Sequence, residues 1–442
     1  MSREDRIRFD FYSRRVRKLV LDQPQDVTAQ DVYVQLARIH PAPLFPALAA
    51  LTIASIDDDI VDNLTLSFHC ISPSLSSVKL GITKGLKGEM FVVSFLSALS
   101  REAISLRELT FQINGPFTSE AIGDLAYLKA LETLTLSITA PVSHLNLAKL
   151  SEIATLSTLV FKFREEATLT DKPGPFSIHG APWALKRLHM SGKSTVINEV
   201  LISLYSLFSK IEIFETRFLD IPATPNPIPW TWAPSTALKD LTISVMQCSS
   251  SKESLEIHLK SFSPLPLHSM RSLRLSGAKL KASDLDILRI CQNGRWKNLE
   301  ILHLPCTALS LGSPSIVILL TLAQWCPKLR VLCVAVDLGL RDVGYLQDKI
   351  DQNVESHPLT YLGISTVSPP DKKKFNEAVV ISQYIDCLFP HLQVLGPYEG
   401  KDGDYWEGIW SMVKAYRRFR NGQPMVGNTK GIDLVSTTKL SR

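Results

Sequence analysis

Met190-Ser-Gly-Lys-Ser-Thr195 has the residue types of a phosphate-binding loop: a glycine, a lysine for phosphate oxygens and hydroxyls for magnesium. It also stands where such a loop stands, after a strand-like run and before a helix-like one. The loop needs a further glycine five residues before Gly192, where backbone N–H groups wrap the phosphates, and that position is Arg187. No carboxylate ends a later strand in a position to hold magnesium. A nucleotide-binding enzyme built on Gly192, Lys193 and Ser194 is therefore a remote alternative, and no enzymatic activity is expected. There is no G-x-S-x-G elbow and no H-E-x-x-H pair, and the 10 histidines are scattered singly, so that lone ones such as His303 read as structural. Asp57-Asp-Asp59 lacks the glycine and distal glutamate of a calcium loop and reads as acids at a helix N-terminus. No metal or cofactor is expected, although polar residues stacked from different repeats remain a way for groups to converge.

The elements that position these residues come from one recurring frame, apolar-x-x-apolar-x-apolar. Its clearest copy is Leu131-Glu-Thr-Leu134-Thr-Leu136. Copies begin at Val16, Leu48, Leu75, Leu106, Leu131, Leu156, Leu185, Ile211, Leu238, Met270, Leu299, Leu329, Leu359 and Leu392, spaced by 25 to 33 residues; that at Ile211 is degenerate and the last is a stub. A fixed frame at this period is the sign of leucine-rich repeats. In x-L-x-L the leucines point one way and their neighbours the other. A lone strand cannot bury that leucine face, whereas stacked parallel copies returning through helices build one core. A doubly wound α/β sheet also alternates strand and helix, but its strands are apolar on both faces. Here Glu108 and Thr110, Thr133 and Thr135, Arg187 and His189, and Asp240 and Thr242 flank the middle leucine. The expected fold is an α/β leucine-rich repeat solenoid, a horseshoe with parallel strands on the concave face and helices on the convex face.

The expected organisation follows. Residues 1–21 form a helix, with Phe9 and Tyr12 inward, leading into the first strand. Residues 16–400 form about 13–14 irregular repeats, 404–420 a capping helix, and 421–442 a disordered tail. Helices are expected over 144–155, 282–291, 314–325, 337–350 and 372–388. The basic run Lys414, Arg417, Arg418 and Arg420 reads as a solvated face near a helix C-terminus. Prolines make loops of 164–183 and 219–237. A net charge of +5, from 48 Lys and Arg against 43 Asp and Glu, is too mild to argue for nucleic acid or membrane binding. The longest apolar run, 316–323, falls far short of the roughly 20 residues of a membrane span. A charged N-terminus and 7 scattered cysteines with no C-x-x-C suit reduced thiols in the cytoplasm or nucleus.

An aromatic followed by Tyr12-Ser-Arg-Arg-Val-Arg-Lys-Leu19 resembles the junction after the F-box in mushroom-type (basidiomycete) fungal F-box proteins. The resemblance runs over most of residues 6–420. It implies a repeat region that holds the protein substrate of a cullin ubiquitin ligase. No Leu-Pro-x-Glu-type helical segment precedes Arg6, so a Skp-type adaptor is expected only if an F-box lies upstream. The alternative is a stand-alone scaffold unrelated to ubiquitination. Either way, a protein partner is expected on the concave face, at the non-leucine strand positions. In the C-terminal half these are Arg274, Ile301, His303, Val331, Cys333, Tyr361 and Gly363, a row with few charges that either binds a partner or lies under a loop or the cap. Trp230 and Trp232, in a proline-rich loop, either anchor a partner or fold back over the weak repeat at Ile211.

Overall fold

The computed structural model describes residues 3–21, 35–36, 38, 43–54, 65–81, 86–113, 124–139, 149–168, 184–203, 210–220, 237–246, 256–259, 267–305, 313–338, 346, 357–366, 375–398 and 402–422. Each copy of the frame supplies one strand. The first are β1 (Lys18–Leu21), β2 (Ala50–Ile53), β3 (Ser77–Gly81), β4 (Glu108–Ile113), β5 (Thr133–Ile138) and β6 (Thr158–Phe163). Next come β7 (Arg187–Gly192), β8 (Ile213–Phe218), β9 (Asp240–Val245), a short β10 (Glu256–His258) and β11 (Ser272–Ser276). A short β12 (Lys279–Lys281), β13 (Ile301–His303), β14 (Val331–Val336), β15 (Tyr361–Thr366) and β16 (Val394–Pro397) complete the series. All but β10 and β12 join one open 14-stranded sheet in chain order, with every neighbouring pair parallel. The fold is the α/β solenoid that the frame implies.

Register follows the leucines. Leu109, Leu134, Leu159 and Leu188 stand opposite one another on successive strands, as do Phe111, Leu136, Phe161 and Met190, and all are buried. A slip of one residue would turn such a row out to solvent. One backbone device pins each step. The carbonyl two residues before the middle core position of the frame accepts from two N–H groups of the next repeat; that of Arg107, for instance, accepts from Glu132 and Thr133, both at 2.9 Å. The same fork recurs from Arg17 to Thr360.

Eight helices are placed among the described residues: α1 (Arg3–Ser13), α2 (Thr65–His69), α3 (Leu86–Glu102) and α4 (Ser194–Ser203), then α5 (Asp284–Gln292), α6 (Ile318–Trp325), α7 (Phe375–Leu388) and α8 (Gly403–Arg420). Apart from α1, which lends only Phe9, they turn apolar residues into the core with the leucine rows. Phe91 and Phe95 of α3 stack at 5.4 Å between centroids and take the edge of Phe68 from α2. Helix α5 starts at a capping box, in which Ser283 Oγ accepts from Asp286 N–H and the Asp286 carboxylate accepts from Ser283 N–H. Helix α8 closes the last repeat with Trp406, Ile409 and Val413, all fully buried. Asp402 sets its start, where one carboxylate oxygen accepts from Trp406 Nε1 at 2.9 Å and from Thr366 N–H and Oγ1 at 2.8 and 2.6 Å.

The structure corrects several local expectations. Tyr12 points outward, 64% exposed, and Phe9 alone of that pair meets the core, against Phe45. Of the helix expected over 144–155, the described part is a 3-10 turn at Leu150–Glu152, because a 25-residue repeat leaves few residues for the return. Asp337 does not open a helix but pairs as an isolated bridge with Ser315. The basic run of α8 is not simply solvated. Arg417 donates to Asp386 Oδ1 at 2.8 Å, to Phe389 O at 2.8 Å and to Leu392 O, while Arg420 pairs with the other Asp386 oxygen. The frame could not register this contact, since it joins two helices and no strand. Trp230, Trp232, Asp57 to Asp59, most of the two proline loops and the tail beyond 422 lie outside the described residues.

Candidate recognition surface

The phosphate-loop look-alike is explained by packing. Gly192 ends β7 with φ 157°, and a Cβ there would lie 2.6 Å from Phe163 Cβ. Ser194, the first residue of α4, is buried, and its N–H donates to Asp220 Oδ1 at 2.6 Å. A carboxylate from the next repeat thus takes the helix-terminal donor that a phosphate would need. Asp284 grips Ser315 N–H and Oγ (2.8 and 2.6 Å) in the same way, and Asp402 grips Thr366. These aspartates staple adjoining repeats.

The non-leucine strand positions share the sheet face opposite the core, which we call the open face. Three columns run along it. The first passes through Thr133, Thr158, Arg187, Ile213, Asp240, Ser272, Ile301, Val331 and Tyr361. The second runs through Thr135, Val160, His189, Glu215, Thr242, Arg274, His303, Cys333 and Gly363. The third, set by the same register two residues further on, holds Lys162, Ser191, Arg217 and Ser244.

Over β5–β9 these columns alternate with the buried rows, and almost all of their residues are half-buried or exposed. His189 Nδ1 lies 3.1 Å from Glu215 Oε2, and this bond, ahead of any other influence, lowers the Glu215 carboxyl pKa. Arg274 is exposed and, among the described residues, takes part in no ion pair. Beside the face, Lys239 donates to Glu212 Oε2 at 2.7 Å.

At β14 and β15 the alternation stops. Cys333, Ala335, Gly363 and Ser365 occupy open-face positions, yet all are buried. Tyr398, just past β16, accounts for part of this. A Cβ at Gly363 would meet its Cβ at 3.2 Å, and its ring reaches His303 at 6.0 Å between centroids. Burial, then the charge of Arg274, pushes the His303 pKa down to about 4, so the ring is neutral at pH 7. Of the expected row, Cys333 and Gly363 are therefore not available as contact surface. Ile301, Val331 and Tyr361 are brought together as in-register neighbours, each half-buried, with the exposed Val394 next in line. Arg274 stays beside them, in the next column, and His303 lies partly under Tyr398. Sequence reasoning missed Arg217, Lys162 and Tyr398. The first two were within reach, since they lie two residues past the middle column; Tyr398 carried no signal, because it follows the stub repeat.

No family model matches the chain, and no curated protein matches it. Among solved structures, the complex of Rad7 and Elc1 in yeast contains a chain 11% identical to this one, with a TM-score of 0.33 over 90% of this chain and 91% of that one. At that level the likeness bears no weight, and the class rests on the sheet, its parallel order and its buried leucine rows: an open α/β solenoid of leucine-rich repeats. No helix among the described residues is long and apolar enough to cross a membrane.

Proposed function

We propose that this chain is a protein-recognition scaffold, with the partner seated on the open face. The supporting observation is the run of in-register open-face side chains over β5–β15, most of them half-buried or exposed, which ends in the row Ile301, Val331, Tyr361. Strands about 4.8 Å apart make such a face roughly 40 Å long over nine strands, enough for a folded partner or an extended segment. The stapled backbone presents it without an ordering cost at binding.

We further propose that the role is that of a substrate-binding repeat region, as the resemblance of Tyr12 to Leu19 to fungal F-box proteins implies. A Skp-type adaptor belongs to the proposal only through an F-box upstream, and an intracellular compartment goes with it. The test is affinity capture from native cell extract, read by mass spectrometry, with wild type beside the double variant Ile301→Asp, Tyr361→Ala. Wild type should recover a substrate, with Skp-type adaptor and cullin where an F-box lies upstream, and the variant should lose the substrate while its melting temperature holds. Recovery of partners without adaptor or cullin would leave the stand-alone scaffold. Equal recovery by the variant would overturn the placement.

A further inference from the structure

The open face is electrically lopsided. From β6 to β11 its columns hold Lys162, Arg187, Arg217 and Arg274, four basic residues, against the two carboxylates Glu215 and Asp240. All four basic side chains are exposed, while both carboxylates are half-buried. Glu215 is already engaged by His189 at 3.1 Å. Among the described residues, Lys162, Arg187 and Arg274 enter no ion pair, and Arg217 donates only to Met246 Sδ at 3.1 Å. Arg217 and Arg274 also favour the charged form of Glu215 from a distance, yet the face keeps more positive than negative charge. It passes directly, at β13–β15, into the apolar row Ile301, Val331, Tyr361.

We propose that the partner is an extended acidic protein segment, its carboxylates over Arg217 and Arg274 and an apolar residue at one end against Val331 and Tyr361. This rests on the open face being the recognition surface. Charge complementarity selects the occupant: unpaired guanidinium groups favour carboxylates through two-pronged bonds, and the apolar row has no use for a phosphate backbone. From β6 to β15 is seven strand steps, roughly 34 Å. A chain lying across the strands at about 3.3 Å per residue covers that with about ten residues. The carboxylates and the apolar anchor must therefore lie within one short stretch, in a fixed order.

The test uses the full chain and a fluorescein-labelled peptide of alternating Glu and Gly closed by two leucines, about ten residues long, read by fluorescence anisotropy. Saturable binding is expected, weakened at least tenfold by Arg217→Glu with Arg274→Glu. Removing the two leucines, or introducing Tyr361→Ala, should weaken it severalfold. Both arginines are exposed, so the reversal variant should keep its melting temperature. Absence of saturable binding, equal binding by the reversal variant, or equal binding of a Lys-for-Glu peptide would overturn the proposal, as would tighter binding of a ten-nucleotide single strand. If any of these occurs while Ile301→Asp, Tyr361→Ala still abolishes partner capture, the acidic specificity falls and the scaffold reading stands.

Discussion

The open face is built twice from one register, and the two stretches differ in what lies above the strands. Over β5–β9 the outward residues are mostly threonine, serine and charged groups in contact with water, with Val160 and Ile213 among them. At β14 and β15 the same columns hold Cys333, Ala335, Gly363 and Ser365, which are small and covered. The leucine rows beneath are alike in both. The lesson is that the repeat frame fixes the buried side, while the size and polarity of the free positions decide whether the other side is a surface or a second layer of packing. Where they shrink to Gly363 and Cys333, the chain lays its own Tyr398 across the sheet.

The difference can be probed first through Cys333, which is 1% exposed. Tyr398→Ala should uncover it, and a loss of about 1.4 kcal/mol of cover means roughly tenfold faster maleimide labelling, read at that residue by mass spectrometry. Equal labelling in wild type would show that Tyr398 is no cover. Gly363→Val should cost about 1–3 kcal/mol in urea unfolding, because its Cβ arrives 3.1–3.2 Å from Cys333 Sγ, Tyr361 and Tyr398. Below the open stretch, Thr216 fills a core position of β8 with a buried hydroxyl that has no hydrogen-bond partner among the described residues. Thr216→Val should therefore stabilise by about 1 kcal/mol, and a loss would mean the hydroxyl is satisfied.

Acid should act on the covered stretch. The His303 pKa falls to about 4 on folding, from an ordinary value of 6.5. Between the two the unfolded chain binds a proton that the folded chain refuses, so stability falls as pH drops through that window. His357, buried with Nε2 3.0 Å from Cys326 O and Nδ1 accepting from Leu359 N–H, shifts in the same direction by burial. His303→Gln should shrink the fall in melting temperature between pH 7 and pH 5; an unchanged fall would contradict the burial of His303. The smallest effect belongs to the open stretch, where Thr135→Val should stay within about 0.5 kcal/mol of wild type.

The sheet was legible because x-L-x-L allows one facing and the spacing of the copies allows one order; even the Ile211 copy makes a strand, with Phe214 buried. Helix positions were read less well, since a return segment needs an apolar side but no fixed frame. Asp337 became a bridge and Ile153 follows a 3-10 turn. Of the expected recognition row, the first column was legible by register. The burial of Cys333 was not, because Tyr398, which lies against Gly363 and His303 in this stretch, belongs to no frame. The Arg417–Asp386 contact was hidden for the same reason: it lies between helices whose pairing no repeat pattern encodes.

The claim that the open face is where a partner sits is tested most directly by placing a photo-crosslinking amino acid, one site at a time, at Thr135, Thr242 and Tyr361 on that face. Ile202, Leu285 and Trp325, exposed on helices, serve as the opposing set. After irradiation in native extract, the strand positions should yield one shared crosslinked protein and the helix positions none. A crosslink confined to the helix positions would contradict the assignment of the face.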